Sequence, residues 1–183
     1  MITALILAGG RASRLGGAEK PALLVGGETI FARQVRVLAP RVTEILVAAN
    51  ADSALYAGHR VVPDRIEGVG PLAGIAAGLA ACTTPWLVVV AGDMPDLAGA
   101  LIDRLCGAIA PGCDAVGIRI GGLPEPLCCA LRVAAARPAL DAMLAAGRRK
   151  ASALLTDHGL LVAWIDDADP AWLKNINTPD DLV

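Results

Sequence analysis

Short apolar runs alternate with helix-like segments along the whole chain, and this order most constrains its fold. Alternation of this kind predicts a mostly parallel sheet with helices packed on both faces. The strand-like runs cover residues 3–8, 44–49, 60–62, 86–91, 113–118, 127–131 and 160–165. The helix-like segments cover residues 29–38, 72–81, 98–109, 133–145 and 150–156, with a further helix predicted from Asp180. Residues 121–126 are predicted to be an irregular connection or the start of a β-excursion that returns through residues 127–131.

The composition predicts a globular chain whose core is built from aliphatic side chains. At 183 residues the sequence fits one domain, residues 1–183, of a size that buries a substantial core. Hydrophobic residues make up 55% of the chain, which argues against disorder, whereas aromatic residues make up only 3%. A net charge of −2 argues against a nucleic-acid-binding surface, so functional cations are expected to act locally.

Cysteine usage and one apolar stretch bear on the cellular compartment. The five cysteines form no CxxC pair and are accompanied by only two histidines, so a zinc site is poorly supported. Free buried thiols are typical of a reducing compartment, and we predict a cytoplasmic protein. The charge-free stretch 68–92 is long enough for a membrane helix, but Thr83, Thr84 and Pro85 interrupt it. A small-residue helix followed by a buried strand fits better, so no membrane association is expected.

A glycine-rich basic loop follows the first predicted strand and is the first candidate ligand site. Its glycines are Gly9, Gly10, Gly16 and Gly17, and its candidate cations are Arg11, Arg14 and Lys20. Glycines let backbone N–H groups approach an anion, and the basic side chains supply countercharge. We interpret the loop as a cradle for a triphosphate, although its spacing fits neither a P-loop nor a dinucleotide fingerprint. An ordinary solvated basic loop is the alternative.

Polar residues follow several other predicted strands. Because ligands bind beyond the carboxyl ends of the strands in an open α/β sheet, these residues are candidates for the site. They are Asn50, Asp52, Asp64, Asp93 and Asn177. Asp93 suits Mg²⁺, which prefers oxygen ligands and keeps waters while bridging phosphates. Its alternative role is to cap the helix predicted at 98–109, but Asp96 suits that role better.

The sequence allows two interpretations for each of four features: two polar residues, the start of a helix and a basic cluster. Asn177 is a second metal ligand or closes a turn before Thr178-Pro179, while the spacing of Asp64 favours a turn over a ribose or base contact. The start of the helix at 70–74 offers backbone N–H groups to a ligand, or its glycines serve tight helix–sheet packing. The basic cluster 148–150 binds a second phosphate-bearing substrate or stabilises a helix C-terminus.

Six sequence blocks occur in the order typical of one enzyme family. They are LAGGRASRLGG with Glu19-Lys20 behind it, GPLAGI at 70–75, GDMPDL at 92–97, PLCCAL at 126–131, GRRK at 147–150 and NINTPDDL at 175–182. Together they resemble the molybdenum cofactor guanylyltransferases of the nucleotidyltransferase superfamily, and LAGG with GPLAG favours guanylyl over cytidylyl transfer. The resemblance implies a three-layer, Rossmann-like α/β fold with a mostly parallel, mixed central sheet.

The resemblance also implies roles for individual residues. Arg14, Lys20 and Asp93 would be catalytic, with the two cations holding the triphosphate and Asp93 binding the metal together with Asn177. The residues implied to bind the nucleotide are Leu7, Ala8, Gly9, Gly10, Lys20, Asn50, Asp64, Pro71, Leu72, Ala73, Gly74 and Asp93.

Two positions depart from the family pattern. Glu19 stands where the family often has Asp before the lysine. Ala48 stands where close relatives have a nucleotide-contacting Asn, and Asn50, two residues later, is the candidate replacement. The departures bear on base recognition more than on the chemistry.

The implied reaction transfers GMP from GTP to the terminal phosphate of molybdopterin and releases pyrophosphate. Mg²⁺, or Mn²⁺ in its place, is the implied metal, and GTP and the molybdenum cofactor are the implied small-molecule partners. Cofactor-delivery or molybdoenzyme-maturation proteins are the expected protein partners. The alternatives are cytidylyl transfer to the same pterin, nucleotidyl transfer to another phosphorylated small molecule, and a non-enzymatic cofactor carrier. A carrier has no use for a triphosphate–metal site.

Overall fold

The computed structural model describes residues 1–9, 19–50, 54–64 and 66–176 of the chain. Its strands are β1 Ile2–Leu7, β2 Leu24–Val25, β3 Glu28–Thr29, β4 Glu44–Ala48, β5 Arg60–Val62, β6 Trp86–Ala91, β7 Ala115–Ile120, β8 Leu123–Arg132 and β9 Val162–Ile165. Its α-helices are α1 Ile30–Leu38, α2 Pro71–Ala81, α3 Gly99–Gly107, α4 Val133–Ala145 and α5 Ala153–Thr156. Short 3₁₀ helices lie at Lys20–Ala22, Ala54–Tyr56 and Pro170–Leu173.

Seven of the described strands form one sheet in the order β5-β4-β1-β6-β8-β7-β9. Strand β1 lies inside the sheet and pairs in parallel with β4 and β6, while β4 pairs in parallel with β5. Strand β8 runs antiparallel to its neighbours β6 and β7. The predicted mixed, mostly parallel sheet is therefore confirmed, and the carboxyl ends of β1, β4, β5 and β6 lie along one edge.

Helices cover both faces of this sheet. On one face Ala4 and Ile6 of β1 contribute to a core shared with α1 and α3, and on the other face Leu5 and Leu7 contribute to a core shared with α2, α4 and α5. The alternation follows from the two-residue period of a strand, which sends neighbouring side chains to opposite faces. The three-layer arrangement and the aliphatic core agree with the sequence prediction.

The chain from residue 68 to 92 forms helix α2 and then strand β6, as expected from the interruption at residues 83–85. Within the part of the chain that the structure describes, no helix is both long enough and apolar enough to cross a membrane.

The segment 121–126 was predicted to be either an irregular connection or the start of a β-excursion, and only the second prediction agrees with the structure. It is not a long irregular connection, because β8 already begins at Leu123 and returns antiparallel to β7. Gly121 and Gly122 make the connection with φ angles of 58° and 80°, which glycine adopts readily and which suit a two-residue hairpin. The alternative prediction of a β-excursion is confirmed. The helix predicted from Asp180 lies outside the described residues.

Helix α2 approaches β1 so closely that a methyl group at Gly78 would overlap the buried Leu5 side chain. A Cβ atom built there would lie 2.9 Å from Leu5 Cδ1 and 3.1 Å from Leu5 Cγ. Leu5 is fully buried and has no room to move aside. Gly107, at the end of α3, offers a contrast, since an added Cβ would meet nothing within 4 Å.

We predict opposite effects of the same substitution at these two helical glycines. Gly78→Ala should lower the free energy of unfolding by about 1 to 2 kcal/mol, because overpacking outweighs the gain in helix propensity. Gly107→Ala should raise it by about 0.5 kcal/mol, since only the propensity changes. Denaturant-induced unfolding measures both values. A Gly78→Ala protein as stable as the parent would contradict the close approach of α2 to β1.

Candidate functional site

A cavity of about 440 Å³ opens at the edge of the sheet where β1, β4, β5 and β6 end. This volume lies in the range of small-molecule sites, and the position is the one expected for an open α/β sheet. The residues that line it and that the sequence predicted are Leu7, Ala8, Gly9, Lys20, Asp64, Pro71, Gly74 and Asp93. Gly70, from the candidate segment 70–74, also lines it, and the lining residues that were not predicted are Pro21, Ala48, Ala91, Gly92 and Leu127.

Lys20 and Asp93 meet in this cavity although 73 residues separate them in the chain. Lys20 Nζ lies 2.7 Å from Asp93 Oδ2 and donates a hydrogen bond to it. Their side chains are 22% and 18% exposed, so solvent weakens the attraction less than it does at an open surface. Without a ligand, each of these charges helps to neutralise and orient the other.

Gly92 explains how the two segments come so close. A Cβ atom at Gly92 would lie 2.7 Å from the Leu7 carbonyl oxygen and 3.0 Å from Pro21 Cγ. The Gly92 N–H donates to that same Leu7 oxygen at 3.0 Å. The absence of a side chain at Gly92 therefore lets the end of β6 lie against both the end of β1 and the Lys20–Pro21 segment.

Gln34 on α1 holds the turn that carries Asp93. Its fully buried amide Nε2 donates to the Ala91 carbonyl at 2.8 Å and to the Met94 carbonyl at 3.0 Å. One side chain thus joins both ends of the Gly92–Asp93 turn. Gln34 is not among the residues predicted from the sequence, although an amide on the buried stripe formed by Ile30 and Leu38 is an unusual residue for a core.

Two further contacts fix the same turn from other directions. Arg33 Nε donates to the Pro95 carbonyl at 2.9 Å. The backbone N–H of Ile176 donates to the Asp93 carbonyl at 2.9 Å, so the chain arrives beside Asp93 immediately before residue 177. The turn that carries Asp93 is therefore held by contacts from α1, from the end of β1 and from Ile176.

Glu19, the departure next to Lys20, accepts a hydrogen bond from a buried tyrosine. The Tyr56 hydroxyl lies 3.0 Å from Glu19 Oε2, and the Tyr56 ring packs edge-on against Phe31 with centroids 5.0 Å apart. Burial, together with this hydrogen bond, raises the pKa of the Tyr56 phenol, so it stays a neutral donor. This hydrogen bond thus anchors Glu19, the residue before Lys20, to the core.

The opposite side of the cavity combines a carboxylate with small residues. A Cβ atom on Gly9 would lie 3.4 Å from Asp64 Oδ2, so the Asp64 carboxylate faces the backbone after β1. Helix α2 opens at Gly70 and Pro71, which line the cavity. A Cβ atom on Gly74 would lie 2.8 Å from Leu7 Cδ2, so Gly74 serves tight packing as well as lining the cavity. For the segment 70–74, tight packing and a position at the cavity wall are therefore compatible.

Three of the remaining predicted site residues do not line the cavity, and three others fall outside the part of the chain that the structure describes. Leu72 is fully buried and Ala73 is 3% exposed in the core on the α2 side, while Asn50 is exposed beyond β4. Gly10, Arg14 and Asn177 lie outside the described residues. In the described ranges no group of three or more His, Cys, Asp or Glu side chains is arranged to hold a metal ion.

Asp96 and the basic cluster 148–150 make contacts with other parts of the protein. Asp96 does not cap α3, whose N-cap is Ala98; it pairs instead with Arg33 at 3.4 Å, so the capping prediction is wrong. In the basic cluster Arg149 donates to the Gly68 carbonyl at 3.0 Å, and Arg148 pairs with Asp157.

We predict that Gln34→Leu loosens the turn that carries Asp93. The substitution leaves two carbonyl groups without their buried donor and should lower the free energy of unfolding by about 2 to 4 kcal/mol. Amide exchange at Gly92 and Ile176, whose N–H groups bond within this region, should become faster. Arg36→Leu on the exposed side of α1 is the control and should change stability by less than about 0.5 kcal/mol. Unchanged exchange at both amides would show that Gln34 does not hold the turn.

Comparison with known proteins assigns the chain to a family. The model of the MobA-like NTP transferase domain matches residues 4–161. A molybdenum cofactor guanylyltransferase of Cupriavidus necator is 38% identical and aligns over 99% of this chain and 94% of its own length. A protein of the same name from Shewanella sp. is 34% identical over 98% of this chain and 92% of its own length.

A solved structure agrees with these relatives. The molybdopterin-guanine dinucleotide biosynthesis protein A of Archaeoglobus fulgidus has a TM-score of 0.79 and 26% identity, covering 100% of this chain and 95% of that one. The matches extend over the strands and turns that build the cavity. The chain belongs to the MobA-like NTP transferase family.

Proposed function

We propose that this protein transfers GMP from GTP to the terminal phosphate of molybdopterin and releases pyrophosphate. The observation that carries the proposal is the meeting of Lys20 and Asp93 in a cavity at the carboxyl ends of the parallel strands. The guanylyltransferase relatives, which align over nearly the whole chain, indicate the nucleotide and the acceptor.

The reaction asks the protein mainly for positioning and charge neutralisation. An oxygen of the acceptor phosphate attacks the α-phosphorus of GTP, a P–O bond forms, and the bond to the β-phosphate breaks as pyrophosphate leaves. The attacking phosphate is anionic at neutral pH, so it needs no strong general base. Holding two polyanions in line is the costly step, and fixed cations reduce that cost.

Asp93 suits a Mg²⁺ ion that is shared with nucleotide phosphates. Mg²⁺ commonly takes one or two carboxylate ligands and completes its shell with phosphate oxygens and water, so a single well-held Asp93 carboxylate fits this ion. When bound, the ion would neutralise charge that builds up on the phosphates. We propose Asn177 as the second protein ligand, supported by the hydrogen bond that brings Ile176, its neighbour in the chain, to Asp93. Mn²⁺ prefers similar ligands and would serve in the same place.

Lys20 has a different role from Asp93 in this proposal. Its ammonium group pairs with Asp93 in the described structure. Lys20 also lines the cavity, and its ammonium would bind the triphosphate and stabilise the departing pyrophosphate. We propose that Arg14 and the backbone at Gly10 complete the triphosphate site.

The side of the cavity formed by β1, β5 and α2 is proposed to hold the nucleoside. The Asp64 carboxylate is a hydrogen-bond acceptor, which suits ribose hydroxyls or the N–H edge of guanine. Leu72 and Ala73 have buried side chains, so any contribution to guanine binding would come from their backbone at the start of α2. Asn50 remains the proposed replacement for the family asparagine at Ala48.

We predict that Asp93→Ala abolishes most of the activity. Pyrophosphate release with GTP, Mg²⁺ and molybdopterin should fall roughly 100-fold or more, because the metal loses its proposed carboxylate ligand. Asp141→Ala, at an exposed position on α4, is the matched control and should leave the rate unchanged. A Mg²⁺-dependent rate in Asp93→Ala that equals the control would remove Asp93 from the mechanism.

A further inference from the structure

Strand β8 is distorted beside the cavity. Between the paired residues Val116–Ala130 and Ile118–Glu125, β7 advances by two residues while β8 advances by five. The extra residues on β8 include Pro126, and prolines inside a sheet are found at such irregularities. Distortions of this kind often redirect side chains next to active sites.

The pairing of β8 with β6 shows where this distortion lies. Their last antiparallel pair joins Val90 to Cys128. Leu127 and Ala91, the next residue along each strand, both line the cavity. Glu125 lies two residues before Leu127 on the same strand.

The Glu125 carboxyl lies near enough to Asp93 to be affected by its negative charge. Burial raises the pKa of the Glu125 carboxyl, a backbone hydrogen bond from Leu127 opposes the rise, and the negative charge of Asp93 adds to it. Glu125 is half-buried, and no salt bridge to it is found in the described part of the chain. A half-buried carboxylate near a second carboxylate has a cost in stability.

Strand β6 lies between the strand that carries Glu125 and the strands on the nucleoside side of the cavity. Gly9, Asp64 and Pro71 come from β1, the end of β5 and α2, whereas Glu125 comes from β8, on the other side of β6. Asp93 follows β6 and therefore lies between the two sides. An acceptor that attacks the α-phosphorus in line must enter from a side that the nucleotide does not occupy.

We propose that Glu125 binds the acceptor through the paired N–H and NH₂ groups of its 2-amino-4-oxopyrimidine ring. A carboxylate accepts two parallel hydrogen bonds from such an edge, while it would repel the acceptor's phosphate. Leu127 beside it supplies the apolar surface that a planar ring prefers. The inference rests on the proposed guanylyl transfer.

Guanine presents the same kind of edge, so the test must separate acceptor from nucleotide. The variant is Glu125→Gln, which keeps the shape of the side chain and an acceptor for the Leu127 N–H. Glu67→Gln, at an exposed position before α2, is the control. Pyrophosphate release is measured against molybdopterin, GTP and Mg²⁺ in turn, and molybdopterin binding is followed separately by its fluorescence.

In Glu125→Gln the KM and Kd for molybdopterin should rise about 10- to 100-fold, with the KM for GTP and the Mg²⁺ midpoint unchanged. The melting temperature should stay the same or rise, because a half-buried charge near Asp93 is removed. Unchanged molybdopterin parameters, or a change confined to GTP or to Mg²⁺, would overturn the role of Glu125. Absence of turnover in the parent protein and the control would instead show that the proposed function itself is wrong.

Discussion

The ion pair between Lys20 and Asp93 joins the end of the glycine-rich region to the end of strand β6. Several otherwise unrelated features are needed to bring these charges within 2.7 Å of each other. Gly92 permits the close approach of the two segments, and Gln34 on α1 holds the turn that carries Asp93. A hydrogen bond from Tyr56 anchors Glu19, the residue before Lys20. The contacts around the pair thus come from several segments of the first half of the chain and from Ile176 near the end of the described residues.

The parallel strands determine which residues can meet at this point. Strands β1, β4, β5 and β6 all end at one edge, so the residues that follow them converge there. Close packing of α2 on β1 through Gly74 and Gly78 keeps the start of that helix at the same edge. The antiparallel β8 then closes the cavity on its far side with Leu127. The cavity is a consequence of strand order and of small residues at a few crowded positions.

Much of this arrangement could be predicted, because it follows from local patterns. Apolar alternation identified the strands of the main sheet, and the position after a strand identified Lys20 and Asp93 as candidates for the site. For Asp64 that position favoured a turn, and only the family resemblance indicated a site role. Gln34 and the Glu19–Tyr56 contact were not found, since they depend on how α1 and the residues after β4 pack in three dimensions. The distortion of β8 was also missed, because residue periodicity does not reveal pairing register.

Identification of the product tests the central claim most directly. The purified protein is incubated with molybdopterin, Mg²⁺ and either GTP or CTP, and the dinucleotide is identified by its mass. We predict a GMP-linked product from GTP and at least about tenfold less product from CTP, because the base must match the hydrogen-bonding groups of its site. Equal product from CTP, or no product from GTP, would contradict guanylyl transfer.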